Sequence, residues 1–286
     1  MSDIPESADI RGYLWGVEHV GSMPAAAASA VATALEYHCN RINEPPTNLS
    51  TLFIHYNARI VAGQEGQNVG TTLGNAMKAA VQYGACRDAM WPLDATKINV
   101  KPPAEAYEDA KRYQKLRYFS PADPMEAISK KYPVATAISM PWHCIDAAKK
   151  TGVIATPTPQ EMRGSLHHHA VVLVGYDKKA GTYTARNCWG PEWGHGGHFT
   201  IPFDVLKMIA PETIRYMIIA TPESAVKEAA PTAAAPASHS FEPAASSEKM
   251  SDIAAKLKEQ IRGDLKKDIE DAQRRIREMM KKPGQQ

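Results

Sequence analysis

Apolar and polar positions in this chain follow two periodicities, and they are segregated along its length. Short apolar or alternating runs crowd the stretch from residue 133 to 221. "PVATAISM" (133–140) and "AVVLVGYD" (170–177) read as strands, and "GTYTARNCW" (181–189) alternates and reads as a third. "HFTIP" (198–202) and "TIRYMIIAT" (213–221) complete the set. Helical patterns dominate the earlier part. Pro24 opens "PAAAASAVATALEYHCNRI", with proline at the first helical position, and further helices are predicted over 71–83, 104–115, 124–131 and 142–150. Helices early and strands late predict an α+β unit with an antiparallel sheet over residues 1–220. "AVVLVGYD" and "GTYTARN" flank the short loop "KKAG", so they should pair as a hairpin. Centring its turn on Lys178–Lys179 puts His169 opposite or diagonal to Asn187.

The pattern changes at Thr221. Residues 221–248 are dominated by alanine, proline and serine and have almost no large apolar side chains, so they read as a disordered linker. In residues 249–282, Met250, Ile253, Leu257, Ile261, Leu265, Ile269, Ala272, Ile276 and Met279 recur three or four apart. They form one apolar stripe on a long amphipathic helix. The mean spacing is about 3.6, that of a straight helix rather than a strict heptad. This segment carries 11 Lys and Arg against 7 Asp and Glu. Docking to a partner protein or self-association through Ile253, Leu257, Ile261, Leu265, Ile269 and Ile276 is the expectation. A merely solvated helix is one rival. A membrane-surface helix is the other, and interleaved acids with no Trp or Phe on the stripe argue against it.

Composition narrows the classes. The 286 residues, 44% of them hydrophobic, suffice for a sizeable core, and a net charge of +2 gives no reason to expect a nucleic-acid partner. No run approaches the length of a membrane span, and "MSDIPESADIRGYLWG" lacks the basic start and apolar core of a signal peptide. Cys39, Cys86, Cys144 and Cys188 stand far apart with no CxxC pair. Reduced thiols in a cytoplasm are therefore expected.

The chemistry concentrates around "SLHHHAVVLVGYD" (165–177). An asparagine beside a histidine at the open end of a hairpin can accept from one imidazole nitrogen and leave the other for proton transfer. The rival reading is a metal site built from the histidine run with His195 and His198 of "HGGH". Strand alternation places His168 on the face opposite His167 and His169, and no acidic support is evident, so neither a metal nor any other cofactor is expected.

"HAVVLVGYD", "YTARNCWGPEWGHGGHFTIPFDVL" and, upstream, "DIRGYL" and "VEHVGSMPAAAASAVATALEYH" resemble papain-like (C1 family) cysteine peptidases, of the bacterial type without a pro-peptide. The resemblance covers most of the first 220 residues. It implies a two-lobed fold, with a helical left lobe around a central helix and an antiparallel β right lobe, here followed by a tethered C-terminal helix. It also implies His169 as the base, Asn187 as its orienting residue, Trp189 as the shielding indole and Trp193 as a neighbouring subsite wall.

Two family features are missing. The resemblance asks for a cysteine at the start of the central helix, and this chain has Met23 there, next to Ser22. A thioether has no ionisable proton and cannot form an acyl-enzyme. The oxyanion-hole glutamine is also absent, since no Gln precedes Gln64. The expectation is a catalytically inactive papain-like protein that acts by binding, as an adaptor, cargo or scaffold component. Its cleft, walled by Ser22, Trp189 and Trp193, would receive an extended peptide. The alternative is an active cysteine-peptidase-like hydrolase with an unrecognised nucleophile.

Overall fold

A computed structural model describes residues 4–41, 47–114, 116–121, 123–210 and 215–220. The described residues all belong to one structural unit. The expected linker 221–248 and the expected helix 249–282, with Ile253, Leu257, Ile261, Leu265, Ile269 and Ile276, lie outside the described residues.

The central helix α1 (Ala26–Asn40) is covered on every side from Ala27 to Cys39. Its alanines explain how: small side chains let neighbouring backbone approach closely, so the helix packs against α2 (Thr51–Val61) and α3 (Leu73–Tyr83) as well as against the sheet. Ala25 caps α1, so Pro24 stands just before the helix rather than at its first position. Glu36 on α1 is buried and accepts from the Leu49 amide at 2.8 Å. Burial pushes its carboxyl up to about 8, so it is mainly protonated at neutral pH.

Helix α2 escapes the sequence pattern because Thr51–Arg59 are all buried, which leaves no polar face to mark its period. Its start is set by Ser50, whose hydroxyl accepts from the Phe53 amide at 3.0 Å. Thr72 caps α3 in the same way. Helix α4 (Ala104–Ala110) is shorter than the predicted 104–115, because residues 111–113 tighten into a 3-10 turn. Helices α5 (Pro124–Ser129) and α6 (Trp142–Thr151) are close to their predicted bounds, and α7 (Phe203–Ile209) was not foreseen.

The seven-stranded sheet is antiparallel throughout. Its strands are β1 (Ser7–Asp9), β2 (Leu116–Phe119), β3 (Val134–Met140), β4 (His167–Asp177), β5 (Thr182–Arg186), β6 (His198–Pro202) and β7 (Arg215–Ala220). The order is β2-β7-β3-β4-β5-β6, with β1 added along the end of β4. Together these elements make an α+β architecture with helices packed on an antiparallel sheet, as the resemblance implies. The hairpin register differs from the expected one. Asp177 pairs with Thr182, so the turn is centred farther along the chain, and an irregularity between Leu173 and Gly175 leaves Val172 facing Arg186. His169 and Asn187 therefore meet on the diagonal. Among the described residues no helix is long and apolar enough to cross a membrane.

Candidate functional site

Strand β5 ends at Arg186, and the next residues leave the sheet to grip the N-terminal segment. Arg186 is buried and donates to the carbonyls of Trp15 at 2.8 Å and Gly16 at 2.7 Å. The Val20 amide donates to the Cys188 carbonyl at 3.0 Å, and the Gly190 amide to the Glu18 carbonyl at 2.9 Å. Gly190 takes a φ of +82°, which a side chain would strain, and a Cβ there would press on His19 at 3.4 Å. These bonds fix the approach to α1, residues 18–23, against the segment that follows Asn187.

His169 is buried at the start of β4 and its Nε2 lies 2.8 Å from Asn187 Oδ1. The same oxygen accepts from the Cys188 amide at 2.8 Å. That second bond decides the amide orientation, because a flipped side chain would oppose an NH2 to a backbone N–H. An oxygen that only accepts makes Nε2 the protonated nitrogen of His169. The lone pair is thus left on Nδ1, the arrangement a general base needs. Burial pushes the imidazole down to about 4, so it is neutral at pH 7. Trp189 covers the pair, its ring centroid 4.4 Å from that of His169 at 30°, and Trp193 packs edge-on to Trp189 at 5.3 Å.

A cleft of about 1160 Å³ opens in front of this unit. Met23, Ser22, His169, Trp189 and Trp193 all line it, while Asn187 stands behind His169. Met23 is 9% exposed and packs into a small core with Val20, Leu52, Phe53 and Trp91. Its amide donates to the Val20 carbonyl at 3.2 Å. Sequence reasoning did not assign His19, Trp142 or Ser139 to the cleft, although all three line it. Only pairing across β3 and β4, where Ser139 faces His168, reveals the last.

The side chains of the histidine run find different partners, although His167, His168 and His169 all line the cleft. His167 stacks on His169 with centroids 6.0 Å apart, whereas His168 Nδ1 meets Ser139 Oγ at 2.8 Å. His195 and His198 close a turn by backbone bonds of 2.8 and 3.1 Å, and neither lines the cleft. Among the described residues no group of three or more His, Cys, Asp or Glu is placed to hold a metal ion.

Residues 4–213 match the family described as papain family cysteine protease. Over 208 residues the chain is 28% identical to an uncharacterized peptidase C1-like protein of Acanthamoeba polyphaga mimivirus, in an alignment covering 68% of this chain and 65% of that one. The chain thus spans just under two thirds of that relative's length. Xylellain, a cysteine protease from Xylella fastidiosa, superposes with a TM-score of 0.70 at 23% identity, covering 77% of this chain and 88% of its own. The Amb a 11 cysteine protease of ragweed pollen, in its proform, gives 0.60 at 21% identity, covering 77% and 67% respectively. A cysteine protease of Carica candamarcensis in complex with E-64 gives 0.57 at 19%, covering 76% and 99%. At these identities the solved structures establish likeness of fold.

Proposed function

The chain belongs to the papain family of cysteine proteases, and from that premise we propose that this member holds extended peptides without cutting them and is recruited to a partner through its C-terminal helix. The observation that carries the reading is the place of the thiols. All four cysteines of the chain are buried, and none lines the cleft. Burial pushes Cys39, Cys86 and Cys188 up to about 12 and also raises Cys144, so none supplies a thiolate at neutral pH. Met23 stands where the family resemblance puts the nucleophile, and its thioether has no proton to lose. His169 is then a base with nothing to activate, and its bond to Asn187 and its cover by Trp189 serve packing and the shape of the cleft.

One observation favours a second reading, hydrolysis through a nucleophile other than cysteine. Ser139 Oγ lies 2.8 Å from His168 Nδ1, and both residues line the cleft. The pair lacks a third group to orient it, since no hydrogen bond to the other nitrogen of His168 is present among the described residues.

Covalent probes separate the two. After incubation with an epoxide-type cysteine-protease probe, and separately with a fluorophosphonate, the intact mass of the protein is expected to stay unchanged. An epoxide adduct at the start of α1 would overturn the binding reading. A fluorophosphonate adduct on Ser139 would establish the second reading in its place.

A further inference from the structure

Trp142 takes no part in the His169–Asn187 pair or its cover. It opens α6 directly after β3 and Pro141, and it is 54% exposed although it lines the cleft. Its indole stands edge-on to His167 at 4.8 Å and lies 6.0 Å from Trp189 at 51°. Two tryptophan rings inclined to each other, one of them largely in water, offer π faces to whatever occupies this end of the cleft. Such faces carry negative potential and attract a cation that comes within about 6 Å of the ring centroid.

The charges nearby agree. Asp146 follows Trp142 by one helical turn, and Glu192 lies between Trp189 and Trp193; both carboxylates are exposed and line the cleft. Lys149, one turn beyond Asp146, returns one positive charge, so these ionised side chains sum to a net negative wall. His167 does not change the balance at neutral pH, because burial holds its imidazole below the ordinary value.

We infer that the Trp142 end of the cleft is a subsite for a cationic side chain, a lysine or arginine of an extended peptide, seated against the rings of Trp142 and Trp189 with Asp146 and Glu192 as counter-charges. This rests on the reading of the cleft as a peptide-binding site. The cation supplies the selectivity, and the apolar stem of the side chain packs along the indoles.

The test uses fluorescein-labelled decapeptide pools with randomised flanks and one fixed central residue, lysine, norleucine or glutamate. Fluorescence polarisation with the full chain is expected to give the lysine pool about 5- to 30-fold tighter binding than the norleucine pool, with glutamate weakest. Trp142→Ala should bring the lysine-to-norleucine ratio close to one, and Trp142→Phe should keep part of it. Because Trp142 is exposed, both variants should melt with the parent. Equal binding of lysine and norleucine pools by the parent would overturn the inference while leaving the peptide-binding cleft standing, and so would a ratio unchanged by Trp142→Ala. Failure of every pool to bind would overturn both.

Discussion

Met23→Cys alone is expected to leave the protein at least 100-fold slower on a peptide substrate than the double variant His19→Gln/Met23→Cys. The single change supplies a thiol in the cleft that His169 also lines. What it does not supply is charge stabilisation for the tetrahedral intermediate. The Met23 amide, the backbone donor at this turn, is engaged with the Val20 carbonyl at 3.2 Å. Two polar side chains of the upstream segment line the cleft, Ser22 directly beside Met23 and His19 farther upstream. A glutamine there keeps the Cβ that packs on Gly190 and adds an amide donor. One such donor is worth roughly 100- to 1000-fold in rate. Loss of Met23 from its small core should cost about 1–3 kcal/mol, so both variants should fold, which a melting curve checks. Equal rates for the single and double variants would mean that another donor, the His19 imidazole being the nearest candidate, already serves the oxyanion.

The second large effect concerns the tail. In the full chain, Leu257→Asp together with Leu265→Asp is expected to abolish association with the partner, or with a second copy, and to leave the melting of residues 1–220 unchanged. Each leucine buried in a partner groove is worth about 1.5–3 kcal/mol, and the pair together about 100-fold or more in affinity. An aspartate placed in the stripe adds the cost of desolvating a charge. The stripe's period of about 3.6 favours a groove on a partner or a short helix pair over a long regular coiled coil. Pull-downs from the native cell and sedimentation of the parent, the double variant and a chain ending at residue 220 would measure it. Identical partners and identical solution mass for all three would reduce the tail to a solvated helix.

The α+β fold class was legible in the sequence, and so was the meeting of His169 with Asn187. His169 and Asn187 stand at the open end of one hairpin, where a short turn constrains which side chains can meet, and they do meet, whereas Trp189 as their cover came from the family resemblance. The pairing itself was not legible: the turn is displaced and the strands carry an irregularity, neither of which "KKAG" or "AVVLVGYD" announces. Met23 and His169 are separated by much of the chain, so their shared cleft came from the family resemblance and not from periodicity. Helix α2 was invisible because burial on every side erases the apolar stripe, and β1 and β2 because three or four residues give too short a period to detect. Trp142 read simply as the start of a helix. Its exposure and its angle to Trp189 belong to tertiary structure alone.

A cleft that holds peptides and leaves them whole can be observed in one incubation. The full chain is mixed with the labelled lysine-centred pool at saturating concentration for a day, and every peptide is then read by mass spectrometry. Saturable binding with recovery of all peptides at their starting masses is the expected result. Fragments that appear with the parent protein and vanish with His169→Ala would contradict it, because they would show that the His169 and Asn187 pair still drives hydrolysis.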